Sequence, residues 1–436
     1  MPDLYPHQRQ ELAFLHQHPR ALLLSGMGTG KTPVMCARAG EVLSAGGRVL
    51  LVTEPGLIAQ MMRQADHWLP EGCPRPVEWN GRDTGTAFII TTHTKAQRAV
   101  DSFCAFAPTL LIVDEAQIVG RGGEDQGAPI YSALRRISEH SRGALLATAS
   151  PVRSTHALEL LALMEVACLP GVPSREQLAP HIDTREVTTR WGVRTVSEGI
   201  TDQGLEMLLE PLRSNAIRHT LDQLGAGVVP QLIVREPIVV ALTRNEREAY
   251  EAANRGEGLQ RHHARTKVSR SVGGLTDAVI NYLTESEGAT HRKKVVFTEN
   301  FDLLHPLTTA LQRRRISLWE ITGDMTPKQR DANVAASRRA YDGVLIGTEA
   351  IETGLDLQHC SVLVSVIQSW NPERERQREG RLVRIGSQHN VVVHQPIRPD
   401  VPLELWKDTK RDMKQQLADR ILKSVPTGVA AGATHA

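Results

Sequence analysis

One turn, Ser25-Gly26-Met27-Gly28-Thr29-Gly30-Lys31-Thr32, constrains this chain more than any other stretch. It follows the apolar run Ala21–Leu24 and opens the helix-like segment Pro33–Ala39. Strand, glycine-rich turn, Lys-Thr and helix, in that order, make a phosphate-binding P-loop. The glycines let the backbone approach phosphate closely and turn its N–H groups inward, and the helix N-terminus adds partial positive charge. On this reading Gly26, Met27, Gly28, Thr29 and Gly30 cradle a nucleotide. Lys31 reaches its β/γ-phosphates, and the Thr32 hydroxyl holds Mg²⁺. Ser25 stands where the strict motif has its first glycine.

Such a loop needs a sheet to carry it, and the surrounding pattern supplies one. Short, continuously apolar segments at Ala21–Leu24, Arg48–Thr53, Ala87–Thr91, Leu110–Val113 and Ala144–Thr148 alternate with helical patterns such as Leu57–Leu69. Strands of that kind are buried on both faces, which predicts α/β architecture with a doubly wound parallel sheet. The same grammar returns at Val295–Thr298, Leu318–Ile321, Val344–Ile346, Val362–Val366 and Val391–Val393, with helical patterns at Asp302–Arg314 and Lys328–Tyr341. The middle, about residues 155–285, reads as helices and loops with few strands. Leu403–Lys423 reads as one amphipathic helix, and the Gly/Ala-rich tail Val425–Ala436 as disordered. The expected division is therefore a first lobe over 1–165, a helical insertion and linker over 166–240, a second lobe over 241–400 and a C-terminal helix and tail over 401–436. A length of 436 residues accommodates such a pair of lobes.

Composition narrows the functional classes. No apolar run is long enough to span a bilayer, and the N-terminus lacks a signal-peptide pattern, so no membrane role is expected. Five scattered cysteines without a C-x-x-C pair predict a reducing compartment and no structural zinc. Lys+Arg 51 against Asp+Glu 49 leaves a net charge of +2, so any nucleic-acid footprint must be a local basic groove.

Two further stretches carry chemistry. In Leu110-Leu111-Ile112-Val113-Asp114-Glu115-Ala116-Gln117 an apolar strand ends in two carboxylates, at the sheet edge where ligands bind. Asp114 would hold Mg²⁺, and Glu115 would orient and deprotonate an attacking water. In Gln377-Arg378-Glu379-Gly380-Arg381-Leu382-Val383-Arg384 the two arginines Arg381 and Arg384 are three apart and would share one helix face. That arrangement suits bidentate contact with a γ-phosphate.

P-loop, DEAQ box and Q-x-x-G-R-x-x-R, in that order across two lobes, resemble a superfamily-two helicase or translocase. Finer features resemble its Swi/Snf-type branch: Trp370-Asn371-Pro372 before Gln377, Arg384-Ile385-Gly386-Ser387-Gln388 after it, Gly354-Leu355-Asp356-Leu357, and Ile321-Thr322-Gly323-Asp324 followed by Arg330. Arg218-His219-Thr220, Pro230 and the Leu242-Thr243 to Tyr250 stretch resemble that branch's linker between lobes. The chain departs from the branch at Gln117, Ala149 and Ser387.

The resemblance implies two RecA-like lobes with a helical insertion between them, closing on ATP and Mg²⁺. It implies that Gln8 contacts the adenine and that Gly354, Asp356 and Gln377 belong to the nucleotide site. Gln117 and Thr148-Ala149-Ser150-Pro151 would couple nucleotide state to lobe movement, and Arg381 and Arg384 would be arginine fingers. Glu54, Pro55, Thr92, His93 and Thr348 would track a nucleic-acid backbone, with Arg261–Lys267 and Arg313–Arg315 as possible additions to the groove. The implied activity is a DNA-dependent ATPase that moves along duplex or single-stranded DNA with little sequence preference, in a bacterial cytoplasm or that of a phage's host, within a larger replication or repair assembly. An RNA-directed helicase, a nucleotide-gated DNA clamp and a protein remodeller are the alternatives.

Overall fold

The computed structural model describes residues 3–81, 85–123, 127–154, 156–189, 192–224, 231–255, 272–299, 301–352, 355–366, 369, 372–383, 389–398 and 401–427. The chain divides into two compact units, Met1–Leu224 with Met413–Ala436, and Gly225–Asp412.

The first unit is built on a parallel sheet. Its strands are β1 (Arg20–Leu23), β2 (Val49–Thr53), β3 (Val77–Glu78), β4 (Phe88–Thr92), β5 (Leu110–Asp114) and β6 (Gly143–Ala147); after the hairpin β7 (Ile182–Thr189) and β8 (Gly192–Ile200), β9 (Ala216–Ile217) closes it. The order across the sheet is β3-β4-β2-β5-β6-β1-β9. The period-2 geometry of a strand sorts its side chains between two cores. Leu22, Leu50, Val52, Leu111, Val113 and Leu146 face one apolar layer. Their neighbours Leu23, Val49, Leu51, Leu110, Ile112 and Leu145 face the other. Helices cover both faces, which is why these strands read as unbroken apolar runs and why a slip of one residue is forbidden. The strand ends that carry the P-loop and Asp114 therefore share the carboxyl edge of one sheet, with β6 between them.

Arg20 fixes the start of β1. Its guanidinium donates to the carbonyls of Ser138 at 3.1 Å, Ser141 at 2.6 Å and Ala167 at 3.1 Å, and to Ser138 Oγ at 3.1 Å. These acceptors lie at or beyond the C-terminal ends of helices Pro129–Glu139 and Leu158–Ala167. Arg20→Ala strands several acceptors at once and is expected to cost about 2–4 kcal/mol of stability. Thermal unfolding of the variant reads that cost as a lowered midpoint.

The second unit holds β10 (Leu232–Val234), β11 (Ile238–Val239), β12 (Lys293–Phe297), β13 (Leu318–Ile321), β14 (Gly343–Gly347), β15 (Val362–Ser365), β16 (Val391–His394) and β17 (Pro396–Ile397). Six of them form a sheet ordered β10-β16-β15-β12-β14-β13, and every pairing in it is parallel. One face packs Val296, Val344, Ile346, Val362, Val364 and Val392 against helices Val272–Glu285 and Phe301–Arg313. The expected architecture, two α/β lobes on parallel sheets, is the one observed.

Three local readings differ. The middle of the chain contains the antiparallel hairpin β7–β8, whose β-branched residues are interleaved with charges and so lack the apolar run that marks a buried strand. β9, two residues long, is too short for any periodic signal, yet it pairs with β1. The tail is ordered over Val425–Thr427, where disorder was expected: Val425 is buried in the first unit's core, Arg218 donates its amide to the Pro426 carbonyl at 3.3 Å, and Arg218 bridges to Thr427, while residues 428–436 lie outside the described residues. The helix before it, Pro402–Ser424, presents Ala418, Ile421 and Leu422 to the same core, and that burial holds the tail's first residues. Among the described residues no helix is long and apolar enough to cross a membrane.

Candidate nucleotide site

The P-loop has the backbone its glycines permit. Gly28 and Gly30 lie at φ 73° and 85°, and Gly30 caps helix Lys31–Ser44 from the left-handed region. A side chain at Gly30 would also collide with the Gln8 carboxamide. Thr29 Oγ1 donates to the Gly26 carbonyl at 2.8 Å, which closes the turn. Lys31 Nζ donates to the carbonyls of Ser25 at 2.9 Å and Gly26 at 3.1 Å, so the ammonium is held within the loop. Thr32 follows in the first turn of the helix. Backbone amides at a helix N-terminus, plus one ammonium, form an anion site.

Asp114 ends β5 on the same sheet edge. Its Oδ2 accepts from Thr53 Oγ1 at 3.0 Å. Burial, with Glu115 adding repulsion, pushes its carboxyl up to about 7; Thr53 and the Lys31 ammonium oppose that rise. A desolvated carboxylate beside a second acid is an unstable arrangement without a cation nearby. Hydroxyl and carboxylate oxygens, from Thr32 and Asp114, are the hard donors Mg²⁺ selects. The residues present thus fit that ion.

Glu115 adopts φ 50°, unusual for a residue with a side chain. Gln117 Nε2 donates to Glu115 Oε2 at 2.7 Å, and Gln117 Oε1 accepts from Thr148 Oγ1 at 2.5 Å. The Thr148 hydroxyl in turn accepts from the Ser150 amide at 2.9 Å. A continuous hydrogen-bonded chain therefore runs from the end of β6 to Glu115. Gln117, where the Swi/Snf-type branch has histidine, serves it with both ends of one amide: nitrogen to the carboxylate, oxygen to the hydroxyl.

Several of the expected residues have partners within the protein. Gln8 is buried and braces the loop: its Nε2 donates to the carbonyls of Gly30 at 3.1 Å and Thr29 at 3.4 Å, while its Oε1 accepts from the Tyr5 amide at 2.9 Å. Both ends of the amide assigned to adenine are thus engaged within the protein. Thr92 caps helix His93–Arg98 by accepting from the Lys95 amide at 3.1 Å. His93 is buried, donates from Nε2 to the Asp114 carbonyl at 3.0 Å, and is driven below the usual imidazole range by desolvation. The side chains of Thr92 and His93 are therefore both buried, Thr92 as a helix cap and His93 as a support of the Asp114 strand end. Glu54 is half-buried and Pro55 exposed at the end of β2.

In the second unit, Thr348 is buried directly after β14, and its amide donates to the Ile321 carbonyl at 3.0 Å. Asp356 is paired with Arg338 at 3.0 Å. Helix Pro372–Leu382 carries Gln377 and Arg381, both half-buried, and the Arg381 carbonyl accepts from the Leu357 amide at 3.1 Å. The helix is described to Leu382. Arg384 and Gly354 lie outside the described residues, as do Pro230, Trp370, Asn371, Ile385–Gln388 and the basic stretch Arg261–Lys267.

Sequence reasoning missed the contacts of His7, Glu11 and Thr53, and gave His219 only a place in the linker. His7 Nε2 donates to the Thr29 carbonyl at 2.8 Å, and Thr53 holds Asp114. The position of Thr53 at the end of an apolar strand was the available signal for it; Glu11 had none in the sequence.

A P-loop and the Asp114–Glu115 carboxylates on one sheet edge have the layout of a nucleotide site. Comparison with known proteins points to a family. Residues 275–386 match the helicase conserved C-terminal domain. The chain is 24% identical to the RNA polymerase-associated protein RapA of Vibrio vulnificus, across 98% of this chain and 52% of RapA. It is 21% identical to the SWI/SNF-related matrix-associated actin-dependent regulator of chromatin subfamily A-like protein 1 of Drosophila melanogaster, across 89% of this chain and 52% of that one. The chain thus spans about half the length of these relatives. The SWI2/SNF2 ATPase core of Sulfolobus solfataricus, solved with double-stranded DNA, aligns over 97% of both chains at 15% identity and TM-score 0.47. These similarities support a superfamily-two helicase of the Swi/Snf type.

Proposed function

We propose that this chain hydrolyses ATP at the P-loop edge of its first unit and uses the hydrolysis to move along DNA. The observation that carries the reading is the convergence of Lys31, Asp114 and Glu115 on one sheet edge, with Glu115 wired through Gln117 to Thr148. The P-loop amides and Lys31 bind and orient the phosphates. Thr32 and Asp114 would hold Mg²⁺, which would supply charge neutralisation to the phosphates. Glu115 Oε2, its position set by Gln117, orients a water and accepts its proton. Arg381 and Arg384 are the arginine fingers, a contribution of about 10³–10⁵ in rate where such residues operate. DNA contacts fall mainly on the phosphate backbone, so affinity drops with salt and sequence preference is weak.

The hydrogen-bonded chain gives the coupling a testable path. Thr148→Val keeps the side chain's shape and deletes the hydroxyl, leaving Gln117 Oε1 and the Ser150 amide unserved. ATP affinity is expected to hold, and DNA-stimulated turnover to fall about 5- to 30-fold, the equivalent of one buried hydrogen bond and its desolvation. Steady-state ATPase assays with DNA read this, and an unchanged stimulated rate removes the chain from coupling. Movement itself is tested by displacement of a third strand from a DNA triplex. ATP-dependent displacement that is lost in Arg381→Ala supports the motor, whereas hydrolysis without displacement turns the reading into a nucleotide-gated clamp.

A further inference from the structure

Ser25 occupies the place of the first P-loop glycine, and its hydroxyl is fully buried. It donates to Glu11 Oε1 at 2.5 Å and accepts from the His219 amide at 2.9 Å. His219 Nδ1 faces the same Glu11 oxygen at 3.0 Å, and the His219 carbonyl accepts from the Gly26 amide at 2.8 Å. Glu11 and His219 are 0% and 1% exposed. Helix Pro6–Gln17, the entry of the P-loop and the segment just past β9 thus meet in one closed polar cluster. Burying such groups is costly unless they satisfy one another, so the cluster holds together or fails as a set. Even so, Glu11 Oε2 has no partner, a cost the fold carries.

We propose that Ser25, Glu11 and His219 are positioning residues that clasp the P-loop entry and thereby set nucleotide affinity. The inference rests on the ATP-site reading above. The clasp acts through the loop: Lys31 donates to the carbonyls of Ser25 and Gly26, the two residues it holds. His219 also lies five residues before Leu224, where the first unit's chain segment ends, so the outgoing chain is tied to the loop. The departure from the strict motif is then functional. A glycine at position 25 would strand the His219 amide and leave Glu11 Oε1 with the His219 ring alone.

The consequence runs against the motif. Ser25→Gly, a change toward the strict sequence, is expected to raise the KM for ATP about 5- to 30-fold and to change kcat at saturating ATP by about twofold or less. Ser25→Ala should do the same, and His219→Ala, which keeps the backbone amide on Ser25 Oγ but removes the ring from Glu11 Oε1, should do so more weakly. Glu11→Gln keeps an acceptor oxygen for the hydroxyl and should retain more affinity than Glu11→Ala. Hydrogen exchange of the peptide spanning Ala216–Leu224 gives a readout independent of activity, and it should quicken in Ser25→Gly. Faster exchange together with the raised KM supports the clasp. Faster exchange at wild-type KM removes its link to nucleotide, and unchanged exchange removes the clasp itself. A wild-type chain that binds no ATP overturns the function reading and this inference with it, whereas ATP binding that Ser25→Gly leaves intact overturns this inference alone.

Discussion

Glu115→Gln is expected to lower ATP turnover about 10²–10⁴-fold while leaving ATP affinity near that of the wild type, the range for loss of a general base. The substitution is nearly isosteric. An amide oxygen can still accept from Gln117 Nε2, which now holds Glu115 Oε2 at 2.7 Å, so the chain to Thr148 survives. What disappears is the carboxylate's ability to take a proton from water. It also removes one of two neighbouring negative charges, and Glu115 is among the causes that push the Asp114 carboxyl up. Asp114 is therefore easier to ionise in the variant, and metal-nucleotide binding should not suffer. Steady-state turnover beside equilibrium binding of a fluorescent ATP analogue separates the two effects. Full turnover in the variant would remove Glu115 from the chemistry.

Lys31→Ala is expected to fail in both binding and turnover. The ammonium lies within the loop and is the site's cation from the P-loop. Its removal deletes direct phosphate contacts, worth about 10²–10³ in rate for one preorganised donor of this kind. It also acts at a distance. Lys31 is one of the influences that lower the Asp114 carboxyl, so its loss lets that group rise further above the ordinary carboxylate range and weakens its hold on Mg²⁺ at neutral pH. Binding of the fluorescent analogue and turnover should therefore fall together, in contrast to Glu115→Gln. Retained affinity would mean that the amides alone carry the phosphates.

The two lobes were readable because their strands are covered on both faces. Burial on both sides makes Val49–Thr53 or Leu110–Asp114 an unbroken apolar run, and such runs stand out in a sequence. The turn at Ser25–Thr32 and the strand end Asp114–Glu115 stood out because few residue types suit a left-handed glycine turn or an apolar strand that ends in two carboxylates. Hairpin β7–β8 was not, since its strands lack a continuous apolar run, nor was β9, which owes its place to β1 rather than to its own two residues. The roles of Gln8, Thr92 and His93 were inferred from motif position. Position could not say that their side chains are buried, because the partners are carbonyls and amides that any sequence supplies. The Glu11–Ser25–His219 cluster was hidden for a further reason: Ser25 and His219 lie 194 residues apart.

The central claim is that ATP hydrolysis at the first unit's sheet edge is driven by DNA. The direct measurement is the ATPase rate without nucleic acid, with single-stranded DNA, with duplex DNA and with RNA, for the wild-type chain and Lys31→Ala. Strong stimulation by DNA, weak stimulation by RNA and loss of both in Lys31→Ala is the predicted result. A rate that is the same in all four conditions, or one stimulated by RNA alone, would contradict it.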